Sequence, residues 1–224
     1  MLLVVLPLAG CTTTQDVNQR YRLRASRTLA SRQPLLVRRA TPDVVVRGVW
    51  LVRGHGTAVI AELANRTART LTDLPVSVGL RRAGGRRVYL NRRGGLDYFQ
   101  THVAALAPHA TLRWVFTTAG RAAHGRPFAT VGAARGRAAA LPRLTASTAG
   151  TGGALRVRVH NGSSVPQYGL PVYALASRDG RWVAAGRTTV DELDGGAART
   201  LGLRLTGDAR RATLRLEALP TIFR

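Results

Sequence analysis

The sequence predicts an all-β protein built from two tandem β-sandwich domains, and three observations carry that reading. The first is an internal repeat. Glu62-Leu63-Ala64-Asn65-Arg66-Thr67, followed by Leu74-Pro75-Val76, returns as Arg158-Val159-His160-Asn161-Gly162-Ser163, followed by Leu170-Pro171-Val172. Nine positions separate the Asn from the Leu in both copies, and the copies are offset by 96 residues, about one immunoglobulin-type domain. The second observation is period-two alternation of apolar and polar residues over 44–52, 58–64, 74–80, 155–159, 170–175, 182–190 and 212–218. The third is punctuation by turn formers such as Gly84-Gly85 and Asp179-Gly180, which supply the positive φ of tight hairpins. No stretch after residue 42 carries a helical stripe over three turns. Together these predict two immunoglobulin-like β-sandwiches, over residues 43–134 and 141–224.

The copies also differ. Leu106-Ala107-Pro108-His109-Ala110 leads into the strand Thr111-Leu112-Arg113-Trp114, and Leu193-Asp194-Gly195-Gly196-Ala197 leads in the same way toward Thr200-Leu201-Gly202-Leu203. The first copy carries nine more residues between its Asn and this Leu, and the surplus falls at 91–100 as a predicted loop. Aromatic side chains beside arginines are the usual material of binding hot spots, so Arg92, Arg93, Tyr98 and Phe99 form a candidate binding loop. The competing reading turns Tyr98 and Phe99 inward as core residues.

The single cysteine allows no intrachain disulfide and no cysteine metal cluster. Its setting is informative: the apolar run Leu2-Leu3-Val4-Val5-Leu6-Pro7-Leu8 ends in Ala9-Gly10-Cys11 and then turns polar. A short apolar run closed by small residues has the shape of a signal-peptide core and cleavage site, and it is too short to span a bilayer. Leu8-Ala9-Gly10-Cys11 resembles the bacterial lipobox. That resemblance implies residues 1–10 as a partial lipoprotein signal peptide, acylation of Cys11, and an extracytoplasmic protein attached to the cell membrane. Acyl chains anchor firmly because each buried methylene contributes about 0.8 kcal/mol. The run lacks the Lys or Arg that opens a signal peptide, which predicts a start codon upstream of Met1. The Arg- and Thr-rich tract 11–42 reads as a mobile tether; a basic helix over 17–32 lying on anionic headgroups is the alternative, its apolar positions Val17, Tyr21, Leu23 and Leu29 being only partly in helical phase.

The second copy resembles the FxLYD-type domain, an immunoglobulin-like sandwich of exported bacterial proteins. The residues that carry the resemblance are Val159-His160-Asn161, Val172-Tyr173-Ala174-Leu175, Asp179-Gly180-Arg181, Val183 with Gly186, and Leu193-Asp194-Gly195. The resemblance implies an adhesive or accessory module and brings no catalytic residues with it.

The charge is extreme, with 34 basic residues against 11 acidic and a net of +23. Every basic residue is Arg, and the arginines are spread along the whole chain. A dedicated nucleic-acid site concentrates its charge on one element, so the distribution argues against nucleic acid and for a solvated or polyanion-attracting surface. Catalytic and metal patterns are sparse. His55, His102, His109, His124 and His160 show no metal-ligand spacing, Asp191-Glu192-Asp194 lacks EF-hand spacing, and no serine sits in a Gly-x-Ser-x-Gly elbow. Asn65-Arg66-Thr67 and Asn161-Gly162-Ser163 read formally as glycosylation acceptors, although Asn and Ser suit a turn after a strand for backbone reasons. The sequence thus predicts no catalytic residues, metal or cofactor. It predicts a non-catalytic envelope protein that binds or assists an envelope protein or an anionic polymer. A polyanion binder is the alternative, and an envelope enzyme subunit the weaker one.

Overall fold

The computed structural model describes residues 14–31, 36–121, 124–152 and 154–223. Strands dominate it, as the alternation demands, and one α-helix, α1 (Thr14–Ala30), precedes them. The first half holds β1 (Val44–Arg53), β2 (Thr57–Asn65), β3 (Thr70–Arg81), β4 (Arg87–Tyr89), β5 (His102–Leu106), β6 (Thr111–Thr118), β7 (Arg126–Val131) and β8 (Gly136–Ala138). The second half holds β9 (Leu144–Gly152), β10 (Ala154–Asn161), β11 (Gln167–Arg178), β12 (Arg181–Leu193), β13 (Ala198–Leu203), β14 (Thr206–Gly207) and β15 (Thr213–Ala218).

Each half makes two antiparallel sheets by the same plan. A three-stranded sheet is β1-β2-β6 in the first half and β13-β10-β9 in the second. A larger sheet centres on β3 in the first half, paired with β4, β5, β7 and β8, and runs β14-β12-β11-β15 in the second. The registers correspond pair by pair. Thr72↔Ala105 answers to Tyr168↔Glu192, and Val76↔Val131 to Val172↔Ala218. Ala64↔Thr111 answers to His160↔Ala198, so the counterpart of Thr111 is Ala198, two residues earlier than the sequence comparison placed it.

The repeated Asn explains why that motif recurs. The Asn65 side-chain amide donates to the carbonyl oxygens of Arg69, Leu106 and Ala107, while its Oδ1 accepts from the Thr67 backbone N–H and hydroxyl. Asn161 does the same with Val165, Leu193, Asp194 and Ser163. One buried amide thus ties the end of a strand to the corner where another strand ends, satisfying carbonyls that the ladder leaves unpaired. Both amides are spent inside the protein, which disposes of the glycosylation reading.

The halves pack face to face. β2 and β11 are buried on both faces for nearly their full length, which an isolated two-sheet sandwich would not require. On β11, Leu170, Val172 and Ala174 turn to the second-half core, while Tyr173 and Leu175 join the first-half cluster together with Ala185 of β12. β12 lies against β1, β2 and β6. At this seam Trp50 meets Trp182 edge to face, and Arg113, ion-paired with Glu62 at 2.8 Å, lies over the Trp182 ring. Burial raises the Glu217 carboxyl above its ordinary range, partly offset by Arg113.

The tract after residue 13 corrects the tether expectation. It is the helix α1, and it docks. Tyr21, Ala25, Thr28 and Leu29 fall on one face at helical spacing, and that face packs on the second half and the C-terminal residues. The Tyr21 hydroxyl donates to the Thr221 carbonyl oxygen at 2.9 Å, and its ring meets Tyr168 and Phe223. Arg22 pairs with Glu192 at 3.0 Å. Four apolar or small contacts suffice because the partners are preorganised by the sheets; a 17-residue polar helix would be marginal alone. No helix among the described residues is long and apolar enough to cross a membrane.

Candidate functional site

The nine surplus residues fall between β4 and β5, where the second half runs straight through as β12. The segment folds back on its own sheet. Asn91 accepts the Val78 N–H and donates to the carbonyls of Val76 and Gln100, and Gln100 donates to the Thr117 carbonyl. A single 3-10 turn, Tyr98–Gln100, aims two aromatic rings into the seam between the halves. Phe99 packs toward Phe223, and Tyr98 stacks on His102 with ring centroids 4.1 Å apart. From the loop's outer side, Asp97 forms a bidentate pair with Arg187 of β12. The structure therefore separates the four candidate residues. Arg92 and Arg93 are exposed, whereas Tyr98 and Phe99 are buried and form part of the wall, so they are not displayed to a partner.

That wall encloses a largely buried polar cluster. Asp73 accepts the Tyr98 hydroxyl at 2.6 Å, and its Oδ1 lies 4.0 Å from His102 Nε2. His102 Nδ1 faces the Tyr98 carbonyl at 3.2 Å and the Thr101 hydroxyl at 2.9 Å. A carbonyl can only accept, so this contact is a hydrogen bond in the tautomer that carries the proton on Nδ1, while Nε2 is buried without a hydrogen-bond partner. Burial pulls the imidazole below its ordinary pKa, with the Asp73 charge opposing. Burial, followed by the bond to Asp73, pushes the Tyr98 phenol well above its ordinary value. Both groups are thus held neutral near neutral pH.

A cavity of about 110 Å³ opens beside the cluster, bounded by Asp73, Tyr98, Arg135 and Phe223 and roofed by Thr28 of α1. It has room for a group of a few atoms, with a carboxylate and a guanidinium on one side and aromatic edges on the other. The hydroxyl nearest the imidazole, on Thr101, already donates to the Tyr98 carbonyl.

Sequence reasoning passed over Asp73, His102 and Arg135. A signal existed in the repeat itself. Asp73 adopts φ 54° and its counterpart Gly169 φ 60°, so both copies kink at the residue before the Leu-Pro pair. Glycine fills that left-handed position without steric cost, and an Asp there stands out. At Gly169 a Cβ would lie 2.9 Å from the Leu29 methyl groups, so the missing side chain also lets α1 lie flat.

Cys11 lies outside the described residues. Within the acidic trio, Glu192 is taken by Arg22, and among the described residues no group of three or more His, Cys, Asp or Glu side chains is placed to hold a metal ion. His55, His109, His124 and His160 are exposed and dispersed. Compared with known proteins, the chain matches no family model and no curated protein sequence.

Proposed function

We propose that the chain is a non-catalytic, lipid-anchored protein of the cell envelope, acylated at Cys11. Its exported part, over 43–134 and 141–224, reads as two tandem immunoglobulin-like sandwiches of FxLYD-like type that act as a binding or accessory module. The observation that carries the anchor is Leu8-Ala9-Gly10-Cys11 closing an apolar run. Supporting the module reading, the elements beyond the repeat are spent on holding two β-halves together, and the polar cluster they enclose is satisfied mainly by its own members. The alternative is attraction of a polyanion by the arginine-rich surface.

Expression in a bacterial host from an extended reading frame, followed by detergent-phase partitioning, tests the anchor. The native chain is expected in the detergent phase and the Cys11→Ala variant in the aqueous phase. Equal partitioning of the two removes the anchor and the compartment with it.

A further inference from the structure

The docked helix leaves its other face outward. At about 100° per residue, Arg20, Leu23, Arg24 and Arg27 share an arc of about 100° roughly opposite the docked Tyr21, Ala25, Thr28 and Leu29. All four outward side chains are exposed. Only four large hydrophobic residues are strongly exposed among the described residues, and two of them, Val17 at 55% and Leu23 at 51%, are on this helix. The remaining basic residue of α1, Arg22, is neutralised by Glu192; the helix's sole acid, Asp16, falls within the same outward arc and is itself engaged, so the face sets three arginines against one acid. The helix begins three residues after Cys11, a reach of no more than about 10 Å even fully extended.

We propose that this outward face of α1 is a membrane-apposed surface that binds anionic phospholipid headgroups. The inference rests on the anchored reading, because an acyl chain at Cys11 would hold the first turn of α1 at the bilayer. Arginine guanidiniums pair with phosphate in bidentate fashion, and the exposed Leu23 side chain between them enters the headgroup boundary. The face is rigid, since its inner side is fixed by Tyr21 and Leu29 to the β-halves. Binding through it therefore sets the orientation of the whole protein on the membrane, which a mobile tether could not do.

The test uses the full chain carrying Cys11→Ala, so that no acyl group contributes. It measures co-sedimentation with vesicles of phosphatidylcholine alone and of phosphatidylcholine with phosphatidylglycerol. Residues 2–8 are common to all variants and set the baseline on neutral vesicles. The reference chain is expected to prefer anionic vesicles. The triple variant Arg20→Gln, Arg24→Gln, Arg27→Gln is expected to lose that preference on the order of a hundredfold, about fivefold per arginine. A control with the same charge loss, Arg82→Gln, Arg86→Gln, Arg126→Gln, is expected to keep it. Equal loss in both triples, or no preference in the reference chain, overturns the proposal. All six side chains are exposed, so unchanged melting curves separate a lost surface from a lost fold. If the native chain fails detergent partitioning while the arginine-dependent vesicle preference persists, the anchor falls and the helix face stands.

Discussion

The two halves share one ladder and one buried Asn pin, yet they meet different demands. The second half keeps an uninterrupted β12 and a Gly at the kink. The first half interrupts the same strand with nine extra residues and puts Asp73 at the kink, and both departures face the seam. The repeat therefore supplies the fold, and the departures from it supply the join. Sequence differences between the two halves are where this protein records what holds them together.

The largest expected effect tests the shared part. Asn65→Ala and Asn161→Ala each remove five hydrogen bonds to the side-chain amide and strand buried carbonyls. Each is expected to destabilise the protein by about 3 kcal/mol in chemical denaturation, with similar values for the two. A large effect at one site and none at the other would break the equivalence of the halves.

A smaller effect probes the join. The Arg187 side chain is only 5% exposed, so Asp97→Ala leaves a buried guanidinium without its carboxylate, at a cost of about 2 kcal/mol given that Asp97 is half exposed. Adding Arg187→Met, which removes the stranded charge, should recover most of that loss. If Asp97→Ala alone leaves the denaturation midpoint unchanged, the loop is not a clasp.

The smallest effect distinguishes the halves by pH. His102 pairs with Pro75 where Thr189 pairs with Pro171, so His102→Thr gives the first half the second half's residue. Burial lowers the folded-state imidazole pKa, so the unfolded chain binds the extra proton first as pH falls below about 6.5. The native protein should then lose stability over that acid range, and His102→Thr should flatten the decline by less than the single-proton limit of about 1.4 kcal/mol per pH unit. Parallel stability-versus-pH curves for the two proteins would remove His102 from the account. The neighbours Asp73, Tyr98 and Arg135 are unchanged in both.

Much of the ladder was legible because it depends on local signals. The Asn-x-Thr/Ser and Leu-Pro-Val elements fixed the correspondence of β2, β3, β10 and β11, and the spacing placed the surplus at 91–100 correctly. The inward turn of Tyr98 and Phe99 was one of two open readings, because an aromatic beside arginines looks the same whether it binds a partner or fills a seam. Face-to-face packing breaks the alternation expected over 58–64 and 170–175: β2 and β11 are buried on both faces, a pattern that two separate sandwiches would not need. The docking of α1 left almost none. Its buried face is four residues wide, and the partners that make it favourable, Tyr168, Thr221 and Phe223, lie some 150 to 200 positions away. Hydrophobic periodicity reads a helix's own sequence and is blind to a groove assembled from distant strands.

The bond from Tyr21 to Thr221 also sets a timetable. A chain that is synthesised or threaded with its N-terminus leading exposes α1 before the strands, but the carbonyl that receives the Tyr21 hydroxyl follows 200 residues later. Closing a loop of that length is among the slowest steps available to such a chain. The sheets can form as they emerge, each half zipping its own strands, while the helix waits. Docking of α1 thus follows delivery of both halves: until residue 223 arrives, the helix has no Phe223 ring beneath it and its outward arginines are not yet fixed relative to the sheets.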